Sequence, residues 1–161
     1  MKVCLVAVDI RSMHNIGSLF RTCDGLGAEL YLVGICPRPR HEDDSRLPHV
    51  SRKAEKQIAK TALGAEKTVK WRHHDTLLAA KHELEKEGYT LIGLEQSDKS
   101  KDLRTLKNDK PIALVVGREV EGLSLVEQKL CSELYEIPMQ GEKESFNVSV
   151  AAAIGLYQLT S

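Results

Sequence analysis

Three short segments of this 161-residue chain hold the residues whose types and spacing can do chemistry. In Asn15-Ile16-Gly17-Ser18-Leu19-Phe20-Arg21-Thr22, Ser18 and Thr22 fall on one side of a helix with Arg21 beside them, and Asn15 reads as its N-cap. Gly17 sits in the first turn, where glycine is costly unless another backbone or a phosphate must approach closely. Gly117-Arg118-Glu119-Val120-Glu121-Gly122-Leu123-Ser124 follows an apolar run, where a phosphate loop would lie. It contains neither G-x-G-x-x-G nor G-K-[ST], and Glu119 and Glu121 would repel a pyrophosphate. A neutral or cationic ligand suits these carboxylates better. Ile137-Pro138-Met139 leads to Ser145-Phe146-Asn147-Val148-Ser149-Val150, which puts three polar side chains at the entrance of an apolar helix. One can cap it; the others need partners, and a ligand is one. The plain alternatives are a capped helix with a polar outer face, a tight turn with surface glutamates, and core packing.

The elements that must position these segments alternate between strand and helix. Residues 3–8 read as a buried strand, and Ile16, Leu19, Phe20, Cys23 and Leu26 repeat at helical spacing until Gly25 and Gly27 stop the helix. A strand over 29–33 is followed by a loop over 36–48 rich in Pro, Arg and His. Helices are expected over 51–63, capped by Ser51 and closed by Gly64, and over 75–87, capped by Asp75 and stopped by Gly88. Runs 89–94 and 112–116 are continuously apolar, as strands covered on both faces are. A short helix from Ser124, a short strand over 135–137 and a last helix over 146–159 complete an α/β fold with a mainly parallel sheet and helices on both faces.

The length suits a single domain, with no room for a second full module, so no separate substrate-recognition domain is expected. Formal net charge is zero, which argues against a nucleic-acid partner on balance alone. Its distribution does not: residues 38–60 hold seven Lys or Arg, Arg46 and Arg52 among them, against four acids. Cys4, Cys23, Cys36 and Cys131 form no CxxC pair, so neither a metal site nor a disulfide framework is expected and a reduced cytoplasm fits. The first apolar run is too short for a signal-peptide core, and no later run approaches membrane-spanning length.

Together the three segments resemble the signature motifs of the SpoU (TrmH-like) class of SPOUT RNA 2′-O-ribose methyltransferases, a match that spans nearly the whole chain. The resemblance implies S-adenosylmethionine as cofactor, whose cationic sulfonium suits the acidic second motif, and an RNA substrate, either tRNA or rRNA. It implies a deep trefoil knot in the C-terminal part, with the chain from Tyr89 onward threading the loop that the last helix passes through. A homodimer packed through that helix is also implied. Asn15, Arg21, Glu119, Ser145 and Asn147 match the family's polar active-site positions. Gly117, Ile137 and Phe146 match cofactor contacts, with Leu94 and Met139 helping to enclose it. Phe146 stands where leucine is usual, and Arg118 where a small or polar residue is common, which implies either an added RNA phosphate contact at Arg118 or a different substrate. Arg21 matches the family's catalytic residue, yet guanidinium groups keep their proton in proteins, so a phosphate clamp that stabilises the developing alkoxide is expected rather than a base. A catalytically silent RNA-binding module of the same fold, and methylation of an RNA base nitrogen, are the alternatives.

Overall fold

β1 (Val3–Val8) is buried along its whole length. Val3, Leu5 and Ala7 pack into one hydrophobic cluster, Cys4, Val6 and Val8 into another. A strand whose two faces both meet apolar layers must be central, and the structure, a computed structural model describing residues 2–161, places it so. The sheet also contains β2 (Glu29–Val33), β3 (Trp71–His74), β4 (Thr90–Leu94), β5 (Lys101–Asp102), β6 (Ile112–Val116) and β7 (Glu133–Glu136), in the order β3-β2-β1-β6-β4-β7-β5. Every pairing is parallel, so all strands deliver their C-terminal ends, and the loops that follow them, to one edge.

Helices cover both faces, as the sequence predicts. α1 (Met13–Leu26), α2 (Pro48–Ala62), the single turn α3 (Ala65–Thr68) and α6 (Val148–Thr160) pack over the cluster containing Leu5, Leu30 and Leu114. α4 (Leu77–Lys86) and α5 (Leu125–Leu130) lie over Val6, Tyr31 and Val115. α5 starts with a capping box in which Ser124 and Glu127 bond reciprocally to each other's backbone.

Three caps fall elsewhere than expected. Ser12, not Asn15, caps α1 and accepts the Asn15 N–H at 3.1 Å, so Asn15 is in the first turn. α2 starts at Pro48, whose fixed φ and missing N–H suit a first helical position, and Ser51 is a buried interior residue donating to the Pro48 carbonyl. Thr76 replaces Asp75 as cap of α4. Gly25 lies within α1, which Gly27 ends in the left-handed conformation. β7 begins at Glu133 rather than 135, and α6 at Val148 rather than 146.

Gly17 is where α1 and α2 meet. A Cβ there would lie 1.9 Å from Thr61 Oγ1 and 2.4 Å from the Ile58 carbonyl oxygen, so the backbone that approaches it is that of α2. Because the carbonyl cannot rotate away, Gly17→Ala is expected to force the helices apart and lower stability by about 1–3 kcal/mol. A denaturation midpoint unchanged from wild type would contradict this.

Candidate active site

One cavity gathers residues of the second and third segments, and none of the first. Its walls are the C-terminal ends of β4, β6 and β7 and the start of α6: Leu94, Gly117, Ile137, Ser145 and Phe146 line it, with Glu119 at its edge. Asn147 and Met139 are not among the lining residues. Asn147 caps α6, its Oδ1 accepting the Ser149 N–H at 2.9 Å and the Ser149 hydroxyl at 2.6 Å.

The loop after β6 is held in place from both sides. At Gly117 a Cβ would come 2.5 Å from the Gly122 carbonyl carbon and 2.6 Å from the Leu123 nitrogen, so only glycine lets the loop fold back on itself. The Arg118–Gly122 bridge closes that turn. The Arg118 guanidinium turns to Asp9 at the end of β1 and to Glu127 of α5 at 2.7 Å, and it also donates to the Gly122 carbonyl at 3.2 Å. These partners, not an RNA phosphate, satisfy Arg118 within this chain. Asp9 itself has a φ of 50°, a left-handed conformation that side chains seldom adopt, and receives the Ile35 N–H at 2.9 Å.

Glu119 joins the first and second segments. Its carboxylate accepts the Ser12 N–H at 3.0 Å, the Arg11 N–H at 3.4 Å and the Asn15 Nδ2 at 3.4 Å. Asn15 is buried, so its amide is held by this contact at the first turn of α1. Burial pushes the Glu119 carboxyl up, but these N–H donors outweigh it and hold the group below its ordinary range. With the folded-state value lowered, the contribution of the bridge is complete above the ordinary carboxylate range and is lost as pH falls through the lowered value. The gap in thermal midpoint between wild type and Glu119→Ala is therefore expected to narrow on acidification. A constant gap would mean that charge plays no part.

Arg21 is not in this cavity. It is exposed on α1 and lines a separate cleft with His14, Ser18, Thr22, Lys60 and Thr61. One chain therefore brings Glu119 and Ser145 to the cavity, ties Asn15 to it through Glu119, and leaves Arg21 outside.

The sequence profile of the SpoU rRNA Methylase family matches residues 2–157. The chain belongs to that family. A relative, the 23S rRNA (guanosine-2'-O-)-methyltransferase RlmB of Ralstonia nicotianae, is 33% identical over 154 residues, which are 96% of this chain and 56% of that protein. The chain spans about half the length of the curated relatives it matches. Among solved structures, the A. aeolicus TrmH/SpoU tRNA modifying enzyme superposes with a TM-score of 0.77 at 26% identity, over 99% of this chain and 74% of that one. The AdoMet-bound rRNA methyltransferase from Sinorhizobium meliloti shares the fold, with a TM-score of 0.82 at 21% identity over 98% of this chain and 55% of that one.

The SpoU motifs account for part of the cavity only. Glu95 and Gln96, directly after β4, are not marked by the sequence pattern, although the end of a parallel strand is where such residues collect. Glu95 accepts the Leu123 N–H at 2.6 Å and the Gln96 N–H at 3.2 Å, pinning the glycine turn of the second motif. Burial raises its carboxyl above the ordinary value despite these donors. Gln96 Nε2 donates to the Ile137 carbonyl at 2.8 Å and ties the β4 end to the β7 end. Glu136 and the apolar Val116, Val120, Val148 and Ala151 also line it.

The basic segment 38–60 divides in two. Arg46 is a brace: it pairs with Asp44 at 2.6 Å and donates to the Arg38 and Pro39 carbonyls, both at 3.0 Å. It holds the Asp44 carboxyl well below the usual carboxylate range. These bonds take up the guanidinium expected to meet RNA at Arg46, whereas Arg52 is exposed on α2.

No group of three or more His, Cys, Asp or Glu among the described residues is arranged to hold a metal ion. Nor is any described helix long and apolar enough to cross a membrane.

Proposed function

We propose that the chain is an S-adenosylmethionine-dependent methyltransferase acting on a ribose 2′-hydroxyl of tRNA or rRNA, and that it works as a homodimer. The observation that carries the reading is the convergence of the second and third SpoU motifs on one cavity, with the first motif tied to its edge through Glu119. The chemistry of the lining fits the donor. Leu94, Val116, Ile137 and Phe146 offer apolar contact for an adenosine. Glu95, Glu119 and Glu136 are carboxylates, while the one guanidinium of the lining is neutralised by Asp9 and Glu127. An acidic rim on an apolar pocket favours a cation over a phosphate. When bound, the donor supplies an electrophilic methyl on its sulfonium, whose C–S bond breaks as the C–O bond to the ribose forms.

The chain's own groups hold and orient. Arg21 clamps a phosphate beside the target nucleotide and stabilises the developing alkoxide, whose proton leaves to phosphate or water. Ser145 faces the nucleotide from the cavity wall, and Asn15 acts from behind it through its contact with Glu119. Arg21 lies in another cleft of its own chain, which favours a site shared between two subunits. The same family reading carries a trefoil knot in the C-terminal part, from Tyr89 onward.

Incubation with labelled donor and total cellular RNA, followed by mass spectrometry of the digested RNA, tests the reading. A 2′-O-methylated nucleoside is the expected product. A methylated base, or donor binding by calorimetry without transfer, would replace this reading with one of the two alternatives.

A further inference from the structure

We propose that the outward face of α2 is the track on which the RNA backbone lies, leading along the helix to Arg21. The inference rests on the RNA substrate proposed above. At 100° per residue, Ser51, Ala54, Ile58 and Ala62 form the buried face of α2. His49, Lys53, Lys56 and Lys60 fall opposite them, all exposed, in an arc of about 60°. Arg52 flanks this stripe, and the one acid of the helix, Glu55, lies about 100° away from Lys56. Among the described residues no carboxylate pairs with Lys53, Lys56 or Lys60.

A solvated helix face usually mixes signs, because like charges three and four residues apart weaken the helix. Here Arg52 and Lys56, Lys53 and Lys56, and Lys56 and Lys60 are all such pairs, in a chain whose charge sums to zero. A one-signed face kept at that cost fits a polyanion. It does not fit a membrane: the face of α2 opposite the lysines is covered by α1, at Gly17, and the apolar residues left exposed at its ends, Leu47, Val50 and Leu63, do not share one side to insert. From His49 to Lys60 the stripe runs about 17 Å, and Lys60 then shares a cleft with Arg21 and His14 that no carboxylate lines. The nearest acid on α1, Asp24, is three residues beyond Arg21 and receives the Thr68 hydroxyl at 2.8 Å. Non-specific backbone contacts at one end of the track and the candidate catalytic arginine at the other give the RNA a direction of approach.

The test compares the protein with its Lys53→Gln/Lys56→Gln/Lys60→Gln variant. Affinity for unfractionated bacterial tRNA is measured by anisotropy over a salt series, with donor binding by calorimetry and methyl transfer alongside. Each phosphate that is no longer neutralised should flatten the plot of log affinity against log salt by about 0.7 to 0.9. The triple variant is therefore expected to reduce that slope by roughly two to three and to raise the KM for RNA at least tenfold, with donor affinity unchanged. The matching Lys→Arg triple should retain the wild-type slope. A slope and KM unchanged in the triple variant, with a wild type that binds and methylates RNA, would overturn the track alone. A slope that flattens in a protein that transfers no methyl would uphold the track and overturn the enzyme. Equal binding of poly-glutamate with the same lysine dependence would overturn RNA as the partner.

Discussion

Ile154→Glu is expected to yield monomers that keep their fold and lose methyl transfer. α6 is apolar on two sides. Ala152, Gly155, Leu156 and Leu159 are buried against the chain's own sheet, where a Cβ on Gly155 would come 2.6 Å from Leu114 Cδ2. The opposite side leaves Val150, Ile154 and Tyr157 exposed at 46%, 37% and 67%. That side is the one free to meet a second copy, and a symmetric partner would bury it. From the sequence alone, Ala152 is a natural place for a disrupting charge. The structure overturns that choice, because a glutamate at a fully buried position would break the monomer rather than separate two of them. At Ile154 a carboxylate forced into an apolar contact should weaken association by about 2 kcal/mol or more, roughly thirtyfold. Sedimentation of wild type and variant reads this directly, with circular dichroism as the control for folding. A wild-type protein that sediments as an active monomer would remove the dimer from the proposal.

The second large effect is at Arg21. Arg21→Ala is expected to lower kcat by roughly a hundred- to a thousandfold, as loss of a transition-state donor does elsewhere. Donor binding should persist, because Arg21 does not line the cavity. A clamp predicts that Arg21→Lys falls at every pH alike; partial activity with a displaced pH profile would instead indicate a proton acceptor. Mixing Arg21→Ala with Gly117→Ala, whose added Cβ would collide with the Gly122 and Leu123 backbone, should restore part of the activity if each site draws on two chains. No recovery from a mixture shown to exchange subunits would place the whole site in one chain.

The central strands are legible in the sequence because both their faces are apolar. Residues 3–8, 29–33 and 112–116 are runs whose composition leaves no other placement. β3 is not legible: Trp-Arg-His-His at the sheet's edge is half-buried throughout and carries no alternation. Its order comes from pairing with β2 across some forty residues of chain. The caps of α1 and α4 fall a few residues from their expected positions since Ser12 and Asn15, or Asp75 and Thr76, are comparable local candidates. Which one caps depends on where packing lets the helix begin.

The chemistry divides in the same way. The resemblance of the motifs to the SpoU class grouped Gly117, Glu119, Ser145 and Phe146 as one site, and the four line one cavity. Only the tertiary structure decided what each charged group faces. Arg118 and Arg46 look like free cations in sequence, but carboxylates more than a hundred residues away in one case and two residues away in the other neutralise them. Lys53, Lys56 and Lys60, ordinary in sequence, form a one-signed face because α2 carries a single acid, Glu55, and the helix turns it away from the stripe. The role of Arg118 is set by a distance between groups remote along the chain, which exists only once the sheet has brought its strand ends together, whereas Arg46 and the lysine stripe are set by local loop and helix geometry.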